Sequence, residues 1–267
     1  MLLHIRHRTA YRYEEPVNYT AQILRLTPRR ENHQRAITWS IHAPGRRTEQ
    51  VDAHGNVTHM LTLETIHREV ELIVTGVVEV NDDGESMQHE GSLSPLAYVA
   101  PTALTTADDA IIDLASKPLS RPGSFHDRVY RLATTVCETV RYRPGATSVE
   151  DSAAAALERG QGVCQDQAHV FIASCRASGI PARYVSGYLY VGESESAASH
   201  AWADVWSEED KAWIGIDITH LKPIGLNHCR LAVGRDYMDA APVRGVRRGG
   251  GYEVMDVNVT VTRVTDQ

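Results

Sequence analysis

The order of patterns along the 267 residues predicts an α+β fold: an all-β region first, then helices, then a mainly antiparallel sheet. Three observations carry that expectation. The opening stretch alternates apolar and polar residues and is rich in Val, Ile, Thr and Tyr. The middle of the chain spaces its apolar residues three and four apart, the period of one helix face. Beyond Pro181 short alternating runs return.

In the first part, Leu3 to Tyr13, Ile37 to His42, Val57 to Leu63 and Val70 to Val80 are the strand candidates. Pro44-Gly45 and His54-Gly55-Asn56 supply turns. Asn81-Asp82-Asp83-Gly84-Glu85 reads as a solvated loop, because it lacks the longer ligand pattern of a calcium-binding loop. A boundary is expected between Ser92 and Pro101, dividing an all-β domain, residues 1–95, from a second domain, residues 96–267.

The second part opens with helical patterns. Thr106 to Lys117 is expected to be a helix stopped by Pro118. Ser124 to Arg141 is a second; Ser124 and Asp127 make a capping-box start, and Val129, Leu132, Ala133, Val136 and Val140 form its apolar face. Ser148 and Asp151 repeat that start before the alanine-rich run Ala153 to Glu158. A further helix begins near Cys164 and stops at Gly179-Ile180-Pro181. Strands are expected at Ala182 to Val191, His200 to Trp206 and Ala212 to Ile218. Gly249-Gly250-Gly251 leads into a last strand, where Met255, Val257, Val259 and Val261 alternate with Asp256, Asn258 and Thr260.

Cys164 carries the chemistry. It follows the glycine-punctuated turn Gly160-Gln161-Gly162-Val163, and Ala168, Phe171, Ile172 and Cys175 continue one helix face behind it. A thiol at a helix N-terminus meets unpaired N–H groups and the helix dipole, which favour the thiolate that attacks carbonyl carbon. Downstream, His200 and Asp217 lie on two short strands joined by the polar segment Ser207-Glu208-Glu209-Asp210. Pairing Trp206 with Lys211 across that loop puts His200 opposite Asp217, on one face of the sheet. One ring nitrogen of His200 would then meet the carboxylate and the other would face Cys164: a nucleophile, a base and a group that orients the base. A slip of one residue would separate the two faces.

The motifs Gly162-Val163-Cys164-Gln165-Asp166, Gly179-Ile180-Pro181-Ala182-Arg183-Tyr184-Val185-Ser186-Gly187-Tyr188 and Ser199-His200-Ala201-Trp202 resemble the bacterial transglutaminase-like cysteine-enzyme family. The resemblance extends to Tyr11-Arg12-Tyr13 with Pro16-Val17, to Leu24-Arg25-Leu26-Thr27-Pro28-Arg29 and to Asp52-Ala53-His54-Gly55-Asn56, which look like that family's β-rich leader. Val233-Gly234-Arg235-Asp236-Tyr237 with Pro242-Val243-Arg244-Gly245 look like its tail. It implies a papain-like, transglutaminase-like core, a helix-borne cysteine packed on an antiparallel sheet, with nucleophile Cys164, base His200 and orienting acid Asp217. The chain departs from the family at Asp217-Ile218-Thr219, where Asp-Pro-Thr is usual, and at Gln167, where a bulky apolar residue is common. Both departures bear on the pocket and on the turn after the acid.

Around this set, Tyr142 and Gln161 are candidate oxyanion donors beside the Cys164 N–H. Asp166 is a helix cap or a neighbour of the site, Trp202 and Trp213 are equally cleft walls or core packing, and His220 is expected to line the site or cap a turn. His169 lies five residues past Cys164, about 140° around the helix axis and poorly aimed at the thiol, so His200 is the preferred base. The 13 histidines include the pairs His4/His7 and His54/His59, but no third ligand joins them at short spacing, so no metal is expected, nor any cofactor. The other three cysteines, Cys137, Cys175 and Cys229, show no metal spacing; Cys137 and Cys175 read as core residues.

Composition is that of a globular chain, with 42% hydrophobic and 23% charged residues. The net charge of −7 argues against general binding to nucleic acid or anionic membrane. No apolar run reaches the ~18 residues of a membrane span. Met1-Leu2-Leu3-His4-Ile5-Arg6 meets charge too early for a signal peptide, so cytoplasmic residence is the default expectation. The expected activity is cysteine-dependent acyl transfer at an amide or peptide bond of a peptide or protein substrate. Water as acceptor makes a protease or amidase; an amine makes a transglutaminase. Hydrolysis is preferred because water is always present and no amine-binding feature is visible. A non-catalytic binding module that keeps the fold is the alternative from another class. Oligomeric state is not legible.

Overall fold

A computed structural model describes residues 1–82, 86–88, 93–192 and 199–264. The long strand β1 (Leu2–Leu24) is followed by β2 (Gln34–His42), β3 (Arg46–Val51), β4 (Val57–Leu63), β5 (His67–Val80) and the short β6 (Ser86–Gln88). After a 3-10 turn at Pro95–Tyr98 come α1 (Asp109–Ser120), α2 (Phe125–Thr139), β7 (Arg141–Tyr142), α3 (Ala153–Arg159), β8 (Gln161–Gly162) and α4 (Cys164–Ala177). Next are β9 (Ala182–Leu189), β10 (Ser199–Ser207), β11 (Ala212–Asp217), β12 (Lys222–Pro223), β13 (His228–Gly234), α5 (Tyr237–Ala240), β14 (Val243–Gly249) and β15 (Glu253–Arg263). The fold is α+β. The loop expected at Asn81 to Glu85 and the boundary residue Ser92 lie partly or wholly outside the described residues.

The first sheet runs β2-β5-β1-β4-β3, and β14 and β15 also pair with β1. Its length explains this. Leu2 to Arg12 pair with β5 while Leu3 to Tyr13 pair with β15, and further along Thr20 to Leu24 pair with β4 and with β14. The two C-terminal strands therefore belong to the leader's sheet, and sheet membership crosses the division expected at residues 95 and 96. The strand also runs past Tyr13, where the sequence pattern ended. Pro16 lacks a ladder donor, and the chain absorbs it as an irregularity between Arg12 and Val17 in the pairing with β5.

The second sheet runs β12-β11-β10-β9-β13, with β6 added on β11, all antiparallel. On one of its faces, Ala201, Ala203, Val205, Ile214 and Ile216 share a core with Ile111, Leu132, Val136, Val170 and Phe171 of the helices. The two sheets meet through Leu3, Ile5, Val78, Val80, Val259 and Val261 of the first and Tyr188, Cys229 and Leu231 of the second. Each such side chain contributes about 1.5–3 kcal/mol when fully buried.

Local chemistry sets the helix ends. α1 begins at Asp109, capped by Asp108, whose side chain accepts from the Ile111 N–H at 2.9 Å, and it continues through Pro118 to Ser120. Pro118 removes the bond its N–H would have made to the Leu114 carbonyl, yet the helix runs two residues past it, so the expected stop is one turn early. α2 has the expected capping box between Ser124 and Asp127. α3 is capped by Ser152, not Ser148, which instead closes a turn with Asp151.

A buried charge cluster joins the two sheets. Asp204 receives a fork of two 2.7 Å bonds from Arg230 and a 2.8 Å bond from Arg183, with all three residues buried. Glu31, from the loop after β1, stands 3.5 Å from Arg230 Nε and 2.6 Å from Arg29. Gln34 bonds both the N–H and the carbonyl of Arg230, and Asn56 does the same for Val233. The leader is thus bound to β13, the strand that carries His228.

Candidate active site

Cys164 is the first residue of α4 and is half-buried. Gly160 ends α3 in the left-handed conformation, φ 65°, and the chain turns into β8. At Gly162 a Cβ would lie 2.6 Å from the Asp166 side chain, so only glycine lets β8 pass this close to α4. Asp166 is buried. Its Oδ2 accepts from the Val163 N–H at 2.7 Å and from Thr147 Oγ1 at 2.6 Å. It therefore tightens the turn that presents the thiol and has no surface to offer a substrate.

His200 and Asp217 are brought together, though by another pairing than the sequence suggested. Trp206 pairs with Trp213 and Ser207 with Ala212, leaving Lys211 in the turn at φ 52°. The expected Trp206–Lys211 pair is therefore displaced by two residues. Side chains alternate with period two, so the displacement keeps His200, Trp202, Trp213 and Asp217 on a common face. His200 Nε2 lies 2.8 Å from Asp217 Oδ2. Nε2 is committed to the carboxylate, which leaves Nδ1 free, and the Cys164 charge also acts on the ring.

Asp217 is fully buried and serves three histidines. Its Oδ2 also meets His220 Nδ1 at 2.9 Å and His228 Nε2 at 3.2 Å, while Oδ1 accepts from the His220 N–H at 3.1 Å. Burial alone would raise this carboxyl; the three histidine bonds and the His200 charge overcome it and hold it well below the usual carboxylate range. Burial likewise lowers His200, but its bonds to Asp217 and Cys164, and their charges, raise it to about 10. His228 is lowered, because burial outweighs its bond to Asp217. His200, Asp217 and His220 offer three ligand atoms within 4.8 Å of one another. Ligands sharing a tetrahedral zinc at bonds of about 2.0–2.1 Å stand roughly 3.3 Å apart. The 2.8 and 2.9 Å separations here are those of charge-assisted N–H···O bonds.

The remaining candidates separate clearly. Tyr142 is half-exposed on β7, which pairs with β8 just before Cys164; burial first, then the Cys164 charge, raises its hydroxyl. Gln161 lies beside it, its Oε1 held by Arg143 Nη1 at 2.9 Å, which leaves its NH2 as the donor side. Trp202 and Trp213 do not wall a cleft. Both have 0% exposure: Trp202 packs on His200, His228 and Arg230, and Trp213 on Tyr98, Trp206 and Arg183. His169 is buried, pushed by burial down to about 4, and accepts from the Tyr237 N–H. It is turned away from the role of base. Burial raises the Cys137, Cys175 and Cys229 thiols, the last two strongly.

Two features escaped the sequence reading. His228 reaches Asp217 from β13, a wholly buried strand with no alternation to reveal which side chains face the site. Gln167 and Thr219 are joined by a 2.6 Å bond. In sequence, neither has a signal beyond the departures at positions 167 and 218.

Comparison with known proteins places the chain. Residues 113–218 match the transglutaminase-like superfamily core, and residues 3–79 match the bacterial transglutaminase-like N-terminal region. An uncharacterized protein of Mycobacterium leprae is 32% identical over 279 residues, covering 97% of each chain. One of Mycobacterium tuberculosis is 30% identical over 286 residues, covering 96% of this chain and 91% of its own. The chain belongs to the transglutaminase-like superfamily. A solved structure of a proposed cysteine protease from Cytophaga hutchinsonii shares the fold, with a TM-score of 0.80 at 23% identity, covering all of this chain and 92% of that one.

Proposed function

We propose that the protein is a cysteine-dependent acyl-transfer enzyme that opens an amide or peptide bond through a thioester on Cys164, with water as the acceptor. The observation that carries this reading is the buried 2.8 Å bond between His200 and Asp217, with the Cys164 thiol at the head of α4 near enough for its charge to act on the ring.

The steps follow from those contacts. His200 takes the Cys164 thiol proton, the sulfur attacks the carbonyl carbon, and the carbonyl oxygen becomes an oxyanion. Its donors are the Cys164 N–H, at a helix start where N–H groups have no intrahelical acceptor, and the Tyr142 hydroxyl or the Gln161 NH2. The C–N bond breaks as His200 gives its proton to the leaving amine or ammonia. Water then attacks the thioester while His200 takes its proton; carboxylic acid leaves and the thiol is restored. Asp217 keeps its charge throughout and stabilises the imidazolium.

Incubation with a peptide library, with and without a primary amine, tests this by mass spectrometry. Cleaved or deamidated peptides, lost in Cys164→Ala, are expected. Amine adducts in their place would replace water by an amine acceptor. Products that persist in Cys164→Ala would remove the thioester.

A further inference from the structure

Gln167 sits one helical turn beyond Cys164 and is fully buried. Its Nε2 donates to the Val140 carbonyl at 2.8 Å, and its Oε1 accepts from Thr219 Oγ1 at 2.6 Å. The Val140 carbonyl can only accept, so the amide NH2 must face it. The amide oxygen then faces Thr219, whose hydroxyl must donate. One side chain thereby fixes the direction of both bonds.

Each end of this link leads to the site. Val140 ends α2 and lies two residues before Tyr142. The strand beyond it is tied to the nucleophile turn, as Arg141 N–H donates to the Gly160 carbonyl and Arg143 N–H to that of Gly162. Thr219 lies two residues after Asp217 and one before His220, inside the turn that the His220 N–H closes on Asp217 Oδ1. The Thr219 carbonyl is met by Cys137 Sγ at 3.7 Å. Ile218 between them is buried and offers no polar group.

We propose that Gln167 is a positioning residue: its amide ties the turn carrying Asp217 and His220 to the strand carrying Tyr142, across the helix that carries Cys164. It touches no reacting atom. It sets the distance between the two sides of the site, the acid–base pair and the oxyanion donor. This rests on the proposed triad. Losing the amide would leave the buried Val140 carbonyl and the part-buried Thr219 hydroxyl without their partner and let the acid turn shift, and a displacement of even about 1 Å costs up to 100-fold in rate.

The test compares wild type, Gln167→Met, Thr219→Val, the double variant and Thr219→Ser. Methionine keeps an unbranched shape without the amide, and valine keeps the shape of threonine without the hydroxyl. The rate of Cys164 alkylation by iodoacetamide is followed across pH, with labelling located by mass spectrometry and thermal unfolding measured alongside. Both single variants should lose reactivity at neutral pH, on the order of tenfold, with an altered pH profile. The double variant should be no slower than the worse single one, and Thr219→Ser should restore the wild-type profile. Lowered unfolding temperatures with an unchanged pH profile would make the link merely structural and overturn the proposal. If Gln167→Met does not fold, Thr219→Val against Thr219→Ser decides alone, since Thr219 is only part-buried and keeps its neighbours. His200→Ala separates the two levels. If alkylation in otherwise wild-type protein does not depend on His200, the triad itself fails; if it does and Gln167→Met changes nothing, only the positioning role fails.

Discussion

Asp217→Asn removes one charge and almost no volume, and it puts the electrostatics of the site to a quantitative test. Four donors converge on the carboxylate: three histidine rings and the His220 N–H. An asparagine there keeps its oxygen toward the three rings and turns its NH2 toward the His220 N–H, losing that bond. The larger loss is charge. A hydrogen bond to an ionised partner contributes about 1.5–3 kcal/mol against roughly 1 for a neutral one. Two unit charges about 4 Å apart attract by about 4 kcal/mol at an effective dielectric constant of about 20, which sets the upper limit. A loss of about 2 kcal/mol lies between these bounds and corresponds to roughly 30-fold in rate. Alkylation of Cys164 at neutral pH should therefore slow about 30-fold, and His200, held at about 10 in the intact protein, should titrate lower when its ring signals are followed by NMR. An alkylation rate within about twofold of wild type, with the His200 titration unmoved, would refute the reasoning and remove Asp217 from the mechanism.

Other outcomes follow from the same contacts. Cys164→Ala should abolish alkylation at this site and turnover while leaving the unfolding temperature unchanged, whereas Cys175→Ala should keep activity and lose about 1 kcal/mol of stability measured by denaturant titration. His200 holds its proton more tightly in the folded protein, at about 10, than in an unfolded chain, at about 6.5. Its contribution to stability is therefore complete below pH of about 6.5 and is lost as pH rises through about 10, so the stability gap between wild type and His200→Gln should close over that window. Asp204→Ala leaves Arg183 and Arg230 buried without their shared carboxylate and should cost about 3–5 kcal/mol in chemical unfolding.

What could be read in the sequence was whatever repeats locally. The capping box of α2, the helix behind Cys164 and the hairpin strands under His200 and Asp217 all follow from spacing and turn residues. The faces of that hairpin survived an error of two residues because strand alternation repeats every two. What could not be read is set by distant pairing. β3 is exposed at every position and β13 buried at every position, so neither alternates. The return of β14 and β15 to β1 is decided by the length of β1, which Pro16 disguised. Trp202 and Trp213 share the face of the site, as the alternation indicated. The loop after β1 and the turn at Tyr98 cover that face, and these contacts have no local signature. His228 reached Asp217 for the same reason.

The central claim is a thioester on Cys164, and trapping it is the most direct measurement. Wild-type protein mixed with the peptide library and quenched in acid within the first turnover should carry a peptide-derived acyl mass on the fragment containing Cys164. That mass should be absent in Cys164→Ala and should form far more slowly in His200→Ala, because acylation needs the His200 proton. A confirmed substrate that turns over with no adduct at Cys164, and as fast in Cys164→Ala as in wild type, would contradict the account.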